Sequence, residues 1–245
     1  MTILVLLKLS NCSQYTRYHL WYSQILINYL GFTMVKLFNA NKTIEAIFWL
    51  SAILFIVLLP YTPSVSTTLL KIVPIAMLGI LVIRAAGDWK RIGIFAALVF
   101  SAGGDIFMEL DNFIWGLSSF LIAHICYLVV FCHNIEFNLV RVLLALIIVS
   151  STFICATILT PNLGELAIAV YFYIGVIAVM GITTSLGANN HPLVILGALA
   201  FMVSDSIIAF NRFGAPIEGA HYAIMITYYL AQYLLTIDAR NNRYA

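Results

Sequence analysis

From residue 44 onward the chain alternates long apolar runs with short polar breaks, and each apolar run is close to the length of a membrane crossing. A helix needs about 20 predominantly apolar residues to cross about 30 Å of hydrocarbon, and shorter runs are accommodated by local thinning. Eight runs are predicted to be helices: residues 44–61, 67–83, 92–110, 113–133, 139–159, 163–186, 192–210 and 219–237. Connections as short as Thr62-Pro63-Ser64 and Thr160-Pro161-Asn162 make successive helices antiparallel neighbours. No segment shows the two-residue alternation of a β-barrel, the other architecture that lipid permits. The pattern predicts an all-α fold, a polytopic membrane bundle of about eight transmembrane helices occupying residues 44–245.

Residues 1–43 do not share this rhythm. The run Met1–Leu7 has no basic region before it and no small-residue cleavage site after it, so it does not read as a secretory signal peptide. Residues 18–35 are aromatic and apolar but interrupted by Ser, Gln, Asn and Gly. The expectation is an N-terminal extension over 1–43, interfacial or poorly ordered.

Composition agrees with the hydropathy pattern. Of 245 residues, 63% are hydrophobic and 9% charged, well beyond the usual balance of soluble domains. Placing the segment before the first helix in the cytoplasm puts Lys36, Lys42, Arg84, Lys90, Arg91, Arg141, Arg240 and Arg243 on that side, against Lys71 and Arg212 opposite. The bias predicts both termini on the cytoplasmic side. A net charge of +2 without a basic patch argues against nucleic acid as a partner. Cys12, Cys126, Cys132 and Cys155 have neither disulfide-framework nor zinc-ligand spacing, and no dinucleotide or phosphate-loop motif occurs, so no cofactor or metal is predicted.

Against this apolar background the polar intrusions stand out. Phe100-Ser-Ala-Gly-Gly-Asp105-Ile-Phe-Met-Glu109 and Gly197-Ala-Leu-Ala-Phe201-Met-Val-Ser-Asp205 each bury an acid within a predicted span, and Gly116-Leu-Ser-Ser-Phe120-Leu-Ile-Ala-His124-Ile-Cys-Tyr127 buries an imidazole. A charged group in hydrocarbon costs at least a few kcal/mol, which makes an intramembrane acid a functional candidate. Positions three or four apart share a helix face, so Ser101, Asp105 and Glu109 form one stripe. Gly116, Phe120, His124 and Tyr127 form a second, and Gly197, Phe201, Asp205 and Ile208 a third, with Ser204 adjacent. Tyr228 and Tyr229 each share a face with Gln232, and Tyr173 lies two turns from Met180. Each feature also has a bland reading. Small residues at four-residue spacing pack helices, a lone histidine joins two helices by a hydrogen bond, and tyrosines pack or mark the interface. A lysine near a helix end, such as Lys71, snorkels to the surface.

These motifs resemble the lysoplasmalogenase-like, YhhN-type family of eight-span membrane proteins. The resemblance rests on Gly104-Asp105, Gly116…Phe120…Ala123-His124…Tyr127, Gly197-Ala198…Phe201…Ser204-Asp205…Ala209, Lys71…Pro74, Tyr173…Met180 and Tyr228-Tyr229-Leu-Ala231-Gln232. It covers about residues 44–237 and gives no role to Glu109 or Asp111. It implies hydrolysis of the vinyl ether bond of lysoplasmalogens to a fatty aldehyde and glycerophosphoethanolamine or glycerophosphocholine, with a lysophospholipid and the surrounding membrane lipid as the partners. If the chain is eukaryotic, the endoplasmic reticulum or another endomembrane is the expected location.

Vinyl ether hydrolysis needs a proton donor, a negative charge facing the oxocarbenium ion, and a base for water. A desolvated carboxyl keeps its proton to higher pH than a hydrated one, so two carboxylates in different surroundings can divide these roles. On that reading Asp105 and Asp205 are the acid and the base in an order the sequence leaves open, with His124 orienting or sharing the proton. Tyr127 and Gln232 then serve as hydrogen-bonding partners and Lys71 as a contact for the phosphate. Tyr173, Ser204, Tyr228 and Tyr229 complete the candidate substrate site. Two other classes carry similar residues: a small proton-coupled transporter, which would use the acids and the histidine as a relay, and a non-catalytic lipid-binding protein.

Overall fold

The computed structural model describes residues 40–85 and 87–240. The chain divides into a unit of residues 1–43 and a unit of residues 44–245. The expectation for residues 1–39 lies outside the described residues.

Eight long helices follow one another: α1 (Ala40–Val57), α2 (Val65–Arg84), α3 (Trp89–Glu109), α4 (Phe113–Phe131), α5 (Leu139–Leu159), α6 (Ala167–Leu186), α7 (Pro192–Phe213) and α8 (Ala220–Leu235). A one-turn α9 (Ile237–Arg240) follows α8. Among the described residues there is no strand beyond the isolated bridge between Ile135 and Gly187. The boundaries follow local chemistry. Ser64 and Thr67 form a reciprocal capping box on α2, Asp88 and Asn138 cap α3 and α5, and Pro192 occupies the first turn of α7. No bound departs from its predicted position by more than four residues. Helix α6 starts later than its apolar run because Thr160–Asn162 and Gly164–Leu166 turn as two 3-10 segments around Pro161 and Gly164.

Seven helices, α1 to α7, are long and apolar enough to cross a membrane. Helix α8 has 16 residues, about 24 Å, because Gly219 starts it from a left-handed backbone (φ 71°) and Thr236 interrupts it before α9. The lipid-facing surface is apolar: on α5 alone Leu146, Ile147, Phe153 and Ile154 are each more than half exposed. In water such a patch would drive aggregation, whereas hydrocarbon solvates it. The protein is an integral, multi-pass membrane protein.

Burial in a bilayer supplies no hydrophobic drive between helices, so close packing must hold them together. Two glycines show how. A methyl group on Gly104 would lie 2.7 Å from the Phe120 ring, and one on Gly197 would lie 3.0 Å from the Leu235 backbone nitrogen. Their absent side chains let α4 close on α3 and α8 close on α7. Those two contacts bring the acidic stripes of α3 and α7 toward the interior of the unit.

Candidate active site

The two aspartates sit in separate polar clusters. In the first, Tyr228 of α8 donates to Asp105 Oδ2 (2.6 Å), and Lys71 Nζ of α2 lies 3.5 Å from Asp105 Oδ1 and 2.9 Å from Glu109 Oε1. Tyr229 donates to the Lys71 carbonyl (3.0 Å). Lys71 is therefore buried, with 7% of its surface exposed, and does not snorkel. The expectation for a lysine near a helix end fails because two carboxylates one turn apart on α3 hold its ammonium inside.

In the second cluster, His124 Nε2 of α4 lies 3.1 Å from Asp205 Oδ2 of α7 and 2.9 Å from the Tyr173 hydroxyl of α6. Tyr173 donates to the same Asp205 oxygen. His124 is fully buried, and its Nδ1 has no hydrogen-bond partner among the described residues. An imidazole pinned at one nitrogen between a carboxylate and a phenol is held for proton exchange with either.

An aromatic layer joins the clusters. The Phe201 ring meets the His124 ring edge-on at 4.6 Å and the Tyr228 ring at 5.5 Å, and Phe120 packs at 6.3 Å and 6.0 Å against Phe201 and Tyr228. Among the described residues no hydrogen bond runs from one aspartate to the other. The remaining predicted site residues direct their hydrogen bonds to groups other than the two acids. Tyr127 donates to Gln232 Oε1 (2.6 Å), a buried tie between α4 and α8, and Ser204 donates to the Ile224 carbonyl (3.1 Å), which ties α7 to α8.

A cavity of about 490 Å³, within the range of small-molecule sites, opens beside the second cluster. Its walls come from α3 to α7 and are almost wholly apolar, including Leu117, Ile148, Ile177, Met202 and Phe210. Tyr173 and Asp205 line it, whereas Asp105 does not. Two wall residues, Ile147 and Val203, are about half exposed or more, so the cavity reaches the lipid-facing surface between α5 and α7. The arrangement is an apolar space with a carboxylate and a phenol at one wall and an imidazole bonded to both behind them.

Sequence reasoning left two parts of this arrangement unassigned. Glu109 was placed on the Asp105 stripe by its spacing but given no role, and it pairs with Lys71. The cavity gave no signal, because its lining residues are those of an ordinary apolar core. Among the described residues no group of three or more His, Cys, Asp or Glu is placed to hold a metal ion.

Comparisons with known proteins bear on the same region. The YhhN family pattern matches residues 66–238. Lysoplasmalogenase TMEM86A from Bos taurus is 30% identical over 229 residues, covering 86% of this chain and 93% of that protein. Lysoplasmalogenase TMEM86B from Homo sapiens is 30% identical over 174 residues, covering 70% of this chain and 74% of that protein. No solved structure matches.

Proposed function

The chain belongs to the YhhN family, and on that footing we propose that it is a membrane hydrolase cleaving the vinyl ether bond of lysoplasmalogens. The observation that carries the proposal is the position of Asp205 and Tyr173, both bonded to the buried His124, at the wall of an apolar cavity large enough for a single lipid chain. The lysoplasmalogenases it is similar to carry that activity in their names.

In this reading the alkenyl chain lies in the cavity and the vinyl ether reaches Asp205. The proton held among His124, Asp205 and Tyr173 passes to the outer vinyl carbon, leaving an oxocarbenium ion opposite the carboxylate. Water adds at the carbon bearing the ether oxygen and gives its proton back to the same cluster. The hemiacetal then collapses, releasing a fatty aldehyde and glycerophosphoethanolamine or glycerophosphocholine. Asp205 is the aspartate that meets substrate. Asp105 acts through Tyr228, which bears on Phe201 and so on the His124 ring.

The positive charges of the loops support eight crossings with both termini in the cytoplasm, α8 and α9 together making the last. An endomembrane such as the endoplasmic reticulum is the location we favour.

Turnover in deuterium oxide tests the chemistry. The mechanism places one deuterium at carbon 2 of the aldehyde, detected by mass spectrometry after rapid reduction to the alcohol. Aldehyde without that deuterium would rule out protonation of the vinyl carbon, and absence of aldehyde would rule out the activity.

A further inference from the structure

We infer that Arg212, at one end of the apolar cavity, binds the phosphate of the lysophospholipid; this rests on the lysoplasmalogen reading of the cavity. Arg212 and Asp205 are seven positions apart on α7, two turns, which puts them on one face about 10 Å apart along the axis. The guanidinium lies over the Phe113 ring, 3.9 Å from its centroid, and 6.0 Å from that of Phe213. Both rings line the cavity. Arg212 thus caps the end of the space whose wall carries Asp205.

The arginine is exposed, and no hydrogen bond or ion pair engages its side chain among the described residues. The acids of the loops nearest in the fold, Asp111, Glu165 and Glu218, do not pair with it. Stacking on Phe113 fixes the plane of the guanidinium and leaves its N–H edge available for two oxygens of one phosphate. Lys71, another cation at this end of the described helices, is held by Asp105 and Glu109.

The geometry suits one amphiphile. In a lysoplasmalogen a three-carbon glycerol separates phosphate from vinyl ether, and that span together with the arginine's own length bridges two helical turns. With phosphate at Arg212 and vinyl ether at Asp205, the alkenyl chain continues the other way along α7, past Ile177 and Leu199. The charged head stays at the exposed end and the chain in the apolar part.

The test is binding of a saturated alkyl-ether lysophospholipid, which has no vinyl bond to cleave, beside its phosphate-free alkylglycerol. Full-length protein in detergent is compared with Arg212→Met, which keeps a long side chain over Phe113, and with Arg212→Lys. The wild type binds the phosphate-bearing ligand more tightly. Arg212→Met lowers that preference by about ten- to a hundredfold, and Arg212→Lys retains part of it. An unchanged preference, or an equal loss for both ligands, would overturn the assignment. Displacement of the lipid by inorganic phosphate, at concentrations where chloride has no effect, would mark a free-phosphate site and overturn it as well. Because the assay involves no turnover, a wild type that released no aldehyde would refute the hydrolase reading while the Arg212 result still stood.

Discussion

His124 on α4 and Asp205 on α7, 81 positions apart in the chain, meet with 3.1 Å between Nε2 and Oδ2. Tyr173 of α6 bonds to both, so three helices converge on one carboxylate at the cavity wall.

Groups that share one proton act as a unit, and their losses do not multiply. His124→Gln is expected to lower aldehyde release by about a hundredfold or more. Tyr173→Phe, which removes one hydrogen bond, lowers it by about tenfold. The double variant is little worse than His124→Gln alone. Steady-state rates on an alkenyl lysophospholipid check this, and fully multiplicative losses would show that the two residues serve separate steps.

The Lys71 cluster makes a stability prediction. Lys71→Met leaves Asp105 and Glu109 in the interior without their shared cation and lowers stability by about 3–5 kcal/mol. Adding Glu109→Gln recovers part of the loss. Unfolding in detergent measures both, and a Lys71→Met protein as stable as wild type would refute a paired, buried lysine.

Ile177 lies one turn beyond Tyr173 on α6 and lines the cavity. Ile177→Trp fills that part of the space. The variant is expected to lose activity on long alkenyl chains by about tenfold while keeping most of it on short ones. A chain-length series of substrates reads the effect directly, and a uniform loss across the series would place the chain elsewhere.

Two glycines predict opposite outcomes. Gly104→Ala drives a methyl group into the Phe120 ring and costs about 1–3 kcal/mol, because that ring is part of the packed aromatic layer. Gly175→Ala meets nothing within 4 Å and is expected to leave stability unchanged or slightly raised. Thermal unfolding of the two variants side by side separates a packing requirement from a general intolerance of substitution.

The helices were legible because hydropathy is a local property, and each apolar run became a helix close to its predicted bounds. Helix α8 also lies within two residues of its predicted 219–237, although its limits come from the backbone at Gly219 and Thr236 and not from loss of apolar character. Asp105, Asp205 and His124 were legible one by one as polar intrusions. Their division into two clusters was not, because it depends on how each helix is rotated and on one ring, Phe201, standing between them. Lys71 illustrates the limit of spacing arguments. A lysine near a helix end snorkels unless something holds it inside, and what holds it is Asp105 together with Glu109, a residue on the same stripe to which the family resemblance gives no role.

The most direct test is aldehyde release from an alkenyl lysophospholipid by purified wild-type protein beside Asp205→Asn, with the matched ester lysolipid as control. The account predicts aldehyde from the vinyl ether with wild type, none from the ester, and a loss of about a hundredfold or more in Asp205→Asn despite unchanged folding. Full activity in a well-folded Asp205→Asn protein would contradict the central claim that this carboxylate performs the chemistry.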